Sequence, residues 1–224
     1  MRRMTVDSSV FADRRDAGQW LGSMLRDRAW NDPMVLGLAR GGVPVAEAVA
    51  EELGAPLDVM VVRKIGAPGN PEFGVGAVAA TGTPIYDEHA LTVFGLSLAD
   101  LEPTRRAEQA KARRRTDLYL RGRAPLPREG RELIVVDDGL AAGVAATAAL
   151  RTLAGDLPSL LVFAAPVCVA AAAATLRAEA DDVYCLIEPS DFSSVGQWYR
   201  DYRQTGDDEV IGALERARGG ARGA

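Results

Sequence analysis

One histidine and two cysteines are all that this chain of 224 residues offers for imidazole and thiol chemistry. The solitary His89 excludes zinc sites built from several histidines, and any Ser-His-Asp mechanism would have to use it. It stands beside Asp87 and Glu88, away from the loops described below, and reads as a surface residue. Cys168 and Cys185 lie in apolar surroundings and are expected to be buried thiols of a reducing compartment, not a disulfide framework. Long apolar runs are also missing. The longest candidate, Leu160 to Ala174, is broken by Pro166 and falls short of the roughly 18 residues needed to span a bilayer. The first residues, with Arg2, Arg3, Asp7 and Asp13, lack the apolar core of a signal peptide. These absences together point to a cytoplasmic chain. Basic charge is not in excess: 26 Lys and Arg face 31 Asp and Glu, for a net charge of -5, which argues against a general binder of nucleic acid or anionic membranes. No GxSxG and no GxxxxGK[ST] string occurs, which disfavours an α/β-hydrolase and a P-loop nucleotidase.

What is present is an ordinary globular composition, 48% apolar and 25% charged, which excludes disorder, collagen and coiled coil as descriptions of the whole chain. At roughly 100–200 residues per domain, the length fits a single domain over 1–224 with some elaboration. A helix is expected over Asp13 to Ala29, with Ala17, Trp20, Leu21 and Met24 spaced to cover one face. Short apolar strands are expected at Met34–Leu38, Leu57–Val62, Leu133–Val136, Leu160–Ala164 and Val183–Ile187. Helices between them are expected over Val43–Leu53, up to about Leu153, and over Val169–Ala180. Residues 63–76 read as a long Gly/Pro-rich loop, followed by two weak strands joined at Thr81-Gly82. The longest helix spans Ser97 to Arg121. Its Arg105, Arg106, Lys111, Arg113, Arg114 and Arg115 read first as a solvated face and second as a basic lip over an anionic ligand. Asp207 is expected to cap a final helix, with 219–224 frayed. Strands apolar on both faces and separated by helices imply an α/β fold with a parallel sheet covered on both sides, whose ligand sits at the carboxyl ends of the strands.

The string VVDDGLAAGVAAT, Val135 to Thr147, carries the strongest signal. Paired carboxylates at a strand end can accept hydrogen bonds from vicinal hydroxyls and favour a nearby cation. The small residues that follow let backbone N–H groups approach a phosphate at a helix N-terminus. The same string could also serve as a plain strand–turn–helix with a tight turn at Asp138-Gly139. Three further loops bear on the choice: GLARGGVP (37 to 44, preceded by Leu36), VRKIGAPGNPEFG (62 to 74) and the aromatic stretch DFSSVGQWY (191 to 199), which reads either as a ring-stacking hood or as a small satellite core.

Together these strings resemble the type I phosphoribosyltransferases, in particular a bacterial subgroup of that family, and the resemblance covers nearly the whole chain. It implies a parallel-sheet, Rossmann-like phosphoribosyltransferase fold with a flexible loop and hairpin over 63–86 and a C-terminal hood over 188–224. It also implies transfer of a phosphoribosyl group from phosphoribosyl diphosphate to an acceptor, with release of pyrophosphate and with Mg2+ bridging it, in a possible homodimer. Asp137 and Asp138 would hold the ribose hydroxyls. The backbone of Gly139, Leu140, Ala141, Ala142, Gly143, Val144 and Ala145 would cradle the 5′-phosphate. Arg40, Gly41 and Gly42 would form the pyrophosphate loop, Arg63 and Lys64 would stabilise the departing pyrophosphate, and Phe192 and Trp198 would stack on the acceptor. The two threonines of the family motif fall on Ala142 and Ala145 here. That departure keeps a second reading in view: a non-catalytic sensor of a phosphorylated ribose or nucleotide.

Overall fold

Met34, Leu36 and Leu38 leave one face of a strand and Val35 the other, and all four are buried. The same alternation recurs in Leu133 and Val135 against Ile134 and Val136, and in Leu161 and Phe163 against Val162 and Ala164. Two apolar faces require two covering layers, and the structure, a computed structural model that describes residues 11–220, supplies them. The main sheet consists of β1 (Pro33–Leu38), β2 (Leu57–Met60), β6 (Glu132–Val136), β7 (Leu160–Val167) and β8 (Asp182–Ile187). These five strands are parallel and lie in the order β2-β1-β6-β7-β8. Helices α1 (Arg14–Leu25), α2 (Gly42–Leu53) and α7 (Asp207–Gly220) share one core cluster, and α5 (Val144–Ala154) and α6 (Ala170–Leu176) the other. The fold is therefore α/β, as the strand pattern implies.

A second sheet stands apart, built from β3 (Val62–Ala67), β4 (Asn70–Ala79) and β5 (Ile85–Tyr86), all antiparallel. Here the loop expected over 63–76 is corrected. Ala67 pairs with Asn70, so Pro68-Gly69 is a two-residue turn, with Gly69 at φ 77. The Pro-Gly pair is itself a turn signal. Its flanking strands were hidden by Arg63, Lys64 and three glycines, whereas Ile65, Ala67, Val75 and Val78 in fact build a separate core cluster with Ala90 and Leu101. Those last two come from α3 (Glu88–Phe94), a short helix the sequence reading lacks and which carries His89, and from α4 (Leu98–Leu120). Ser97 caps α4 in a capping box with Asp100.

Three other expectations are revised. The buried stripe of α1 is Ala17, Gly18, Leu21, Gly22 and Leu25, while Trp20 is 43% exposed. The glycines set this face: a Cβ on Gly18 would lie 2.5 Å from the Val45 carbonyl oxygen, so α1 rides on the backbone of α2. A Gly18→Ala variant should therefore lose about 1–3 kcal/mol of stability despite its better helix propensity, measurable as a lower urea midpoint. Cys168 and Cys185 are joined in a disulfide, not free. Cys168 follows β7 and Cys185 lies in the paired β8, which brings their Cα atoms to 6.0 Å, a separation that a disulfide bridges and that the 17-residue spacing conceals. Helix α6 also ends at Leu176, four residues before the expected Ala180. Gly219 and Gly220 belong to α7, and 221–224 lie outside the described residues, as do Arg2, Arg3 and Asp7. No helix among the described residues is long and apolar enough to cross a membrane.

Candidate functional site

Strand β1 leads through α2 to β2 on one side of the sheet, and β6 leads through α5 to β7 on the other. The carboxyl ends of β1 and β6 thus flank the switch point where an open α/β sheet leaves a crevice. Two loops occupy it. After β1 come Ala39 and Arg40, joined by a cis peptide, and then Gly41 and Gly42 at the start of α2. After β6 come Asp137, Asp138 and the run of small residues to Gly143, which N-caps α5 at φ 78 without a side-chain cap.

The two loops fit together because of the glycines. A Cβ on Gly41 would fall into the Asp138 carboxylate, and one on Gly42 would lie 2.5 Å from the Val136 carbonyl oxygen and 2.8 Å from Asp137 Cα. The acid pair is then split into two environments. Asp138 is clamped: its Oδ2 accepts from Arg14 Nε at 2.8 Å, and its carbonyl accepts from the Tyr199 hydroxyl at 2.6 Å. Arg14 also donates to the Arg203 carbonyl at 2.7 Å and lies 4.1 Å over the Tyr202 ring. Both side chains of the Arg14–Asp138 pair are 11% exposed. Asp137 takes the Asp138 N–H on Oδ1 at 2.9 Å and lines an open cavity. Burial, and next the negative charge of Asp138, hold the Asp137 carboxyl well above its ordinary value, against the partial relief that Arg14 gives. Burial, reinforced by Asp138, likewise pushes the Tyr199 and Tyr202 hydroxyls up, so Tyr199 keeps the proton that it donates to the Asp138 carbonyl.

The cavity measures about 430 Å³ and is walled by Asp137, Lys64, the small residues from Gly139 to Ala146, and Gly74, Gly76 and Ala77 of β4. The first N–H groups of α5 have no intrahelical acceptor, and the residues that carry them line this space. Ala141, Ala142 and Ala145 are exposed there. Lys64 Nζ is held at the cavity wall by the Glu72 carbonyl at 2.7 Å, across the β3-β4 hairpin.

Other predicted residues go elsewhere. Arg63 and Lys64 are neighbours on a strand and so point to opposite faces. Only Lys64 reaches the cavity, while Arg63 turns to Glu108 of α4, with Nε at 3.0 Å from Oε2. Arg40 Nη1 stands 3.8 Å from Asp207 Oδ1, which also accepts from the Tyr119 hydroxyl at 2.6 Å. Trp198 is half-buried and packs with Phe11, Ala17 and Tyr199 in a satellite core, its Nε1 buried without a partner among the described residues. Phe192 is half-buried on the same stretch, and neither it nor Trp198 lines the cavity. The aromatic segment therefore touches the acid loop through Tyr199 and through Val195, whose side chain fills the space a Gly139 Cβ would need.

Sequence reasoning missed Arg14, Tyr199 and Asp207 as determinants of this geometry. Arg14 is 124 residues from its carboxylate partner, and no local pattern marks it. Tyr199 was visible as one of a cluster of aromatics, but its hydroxyl contact was not.

Residues 14–203 match the phosphoribosyl transferase domain family, and the chain belongs to that family. Among its relatives are two Mycobacterium tuberculosis proteins, from strains CDC 1551 / Oshkosh and H37Rv, each named "Putative phosphoribosyl transferase". Each is 40% identical over 208 residues, which cover 93% of this chain and 47% of the relative. The chain thus spans about half the length of those curated relatives. Among solved structures, TT1426 from Thermus thermophilus superposes with a TM-score of 0.79 at 40% identity, covering 92% of this chain and 98% of that one.

Proposed function

We propose that this chain is a phosphoribosyltransferase that binds phosphoribosyl diphosphate and passes its phosphoribosyl group to an acceptor, releasing pyrophosphate. The observation that carries the proposal is the cavity itself. One carboxylate, one ammonium and an uncapped helix N-terminus wrapped in glycine and alanine meet in about 430 Å³ at the sheet's switch point. The N–H groups of Val144 to Ala146 and the α5 dipole would receive the 5′-phosphate. Asp137 would accept from the ribose hydroxyls, and its charge would favour positive charge at the anomeric carbon as the carbon–oxygen bond to pyrophosphate lengthens. Lys64 would stabilise the leaving pyrophosphate. Arg40, beside Gly41 and Gly42, would do so after exchanging its contact with Asp207 for one with the phosphates. No protein nucleophile is required, because the acceptor nitrogen supplies the electron pair. Asp138, tied by Arg14, holds the loop and leaves Asp137 as the carboxylate open to ligand.

Among the described residues no three His, Cys, Asp or Glu side chains group as a metal cage. Magnesium is bound through one or two carboxylates and the oxygens of a phosphate ligand, and Asp137 lines the cavity beside the helix start that would receive the phosphate. Asp137 is the residue that would share it, and the ion would supply neutralisation of the pyrophosphate charge.

The test is magnesium-dependent pyrophosphate release from phosphoribosyl diphosphate, screened across nucleobases and other nitrogen acceptors. Turnover with at least one acceptor is expected. Tight binding of phosphoribosyl diphosphate with no turnover across the panel would instead favour a sensor. Ala142 and Ala145 support that second reading, because they present methyl groups to the cavity where hydroxyls could hydrogen-bond a phosphate, each such bond being worth about 1.5–3 kcal/mol.

A further inference from the structure

We propose a second anion site, outside the candidate cavity, that takes a di- or triphosphate group. Its basis is the face of α4 that carries Lys111, Arg114, Arg115 and Leu118. The spacing i, i+3, i+4, i+7 puts all four on one side of the helix. They line a groove of about 280 Å³, closed by Arg63 from β3 and Asp207 from the start of α7. Since Arg63 and Lys64 leave β3 on opposite faces, the groove and the cavity are served by separate side chains.

The charges in and beside the groove do not balance. Glu108 serves two cations, Arg63 at 3.0 Å and Lys111 at 2.5 Å. Asp207 also serves two, Arg115 at 3.7 Å and Arg40 at 3.8 Å. Arg114 is exposed and has no carboxylate within 4.0 Å among the described residues. Four cations, Lys111, Arg114 and Arg115 of α4 and Arg63 of β3, therefore line the groove against one lining carboxylate, Asp207, in a chain whose net charge is -5. A solvated helix face spreads its cations into water, whereas here other elements bring more cations toward the same space. Guanidinium groups match phosphate oxygens in paired hydrogen bonds. A single phosphate brings only about -1.5 to -2 at neutral pH, less than the local excess, which selects a ligand with two or three linked phosphates.

The experiment is calorimetric titration of inorganic triphosphate, without divalent metal, into the full chain. Three variants are compared with it: Arg114→Ala, Lys111→Ala with Arg114→Ala, and Arg105→Ala with Arg106→Ala. The last removes the same charge from α4 at residues that pair with Glu102, outside the groove. All substituted side chains lie off the core clusters. The groove double variant should bind triphosphate at least about tenfold more weakly and Arg114→Ala severalfold more weakly, with the Arg105/Arg106 pair within about twofold of the parent. Equal weakening in both double variants, or unchanged affinity in the groove variant, would overturn the site. The outcome is separable from the enzymatic reading. Groove-dependent triphosphate binding without any pyrophosphate release keeps the groove and removes the transferase. Release without groove-dependent binding does the reverse.

Discussion

Arg14→Ala should lose about 3–5 kcal/mol of unfolding free energy, a cost expected when one partner of a buried ion pair is removed. The loss follows from what Arg14 does besides neutralising charge. It donates to Asp138 at 2.8 Å and to the Arg203 carbonyl at 2.7 Å, and its guanidinium covers Tyr202 at 4.1 Å. Without it, two adjacent carboxylates face each other across a loop that Gly41 and Val195 have already filled. Arg14→Lys keeps the charge but gives up the planar fork and the ring stacking, so it should fall between parent and Ala. Urea denaturation measures all three, and a loss below about 1 kcal/mol for Arg14→Ala would mean that water replaces the guanidinium at Asp138.

The second large effect belongs to Asp137→Asn and has two parts of opposite sign. The native carboxyl titrates well above its ordinary value of 3.8, so the folded chain holds that proton more tightly than the unfolded one. Between 3.8 and the raised native value the folded state binds more protons. The stability that Asp137 contributes is therefore complete below 3.8 and is lost as pH rises through the native value. Asparagine keeps the shape and removes the titration. The variant should be more stable than its parent at neutral pH, and its stability should fall less steeply with rising pH across that window. Chemical denaturation at a series of pH values reads both. Affinity for phosphoribosyl diphosphate should move the other way, down by about 10–150-fold, if a charged hydrogen bond to the ribose is lost. A variant that is less stable, or that binds as well as the parent, would show that Asp137 is not the carboxylate open to ligand.

How much of this was legible in the sequence depends on how local each determinant is. The five-stranded sheet was readable because its strands, Asp58 of β2 aside, are largely apolar on both faces. The strand–loop–helix form of the acid loop was readable because acid pair, glycines and helix start are contiguous from Val136 to Val144. The β3-β4 hairpin was not, because its strands carry Arg63 and Lys64 and bury only alternate residues in a small separate core. Nor could the division of labour between Asp137 and Asp138 be read. It depends on Arg14 and Tyr199, which only the folded chain brings to Asp138, from 124 and 61 residues away. The cysteine pair shows the same limit, since pairing of β7 with β8 decides it and spacing does not.

The clamp on Asp138 also orders events in time. Phe11 N–H donates to the Trp198 carbonyl, Arg200 N–H to the Phe11 carbonyl, and Asp201 N–H to the Ala12 carbonyl, so an early and a late segment of the chain lie side by side over the acid loop. The entropy of closing so long a loop must be spent before any of these contacts repays it. During synthesis, a nascent chain that has already emitted β1, β6 and β7 can pair them. It cannot fasten its acid loop until residues 199–203 leave the ribosome. The crevice thus sets only after the strands that flank it, and a partly made chain carries its two aspartates unguarded.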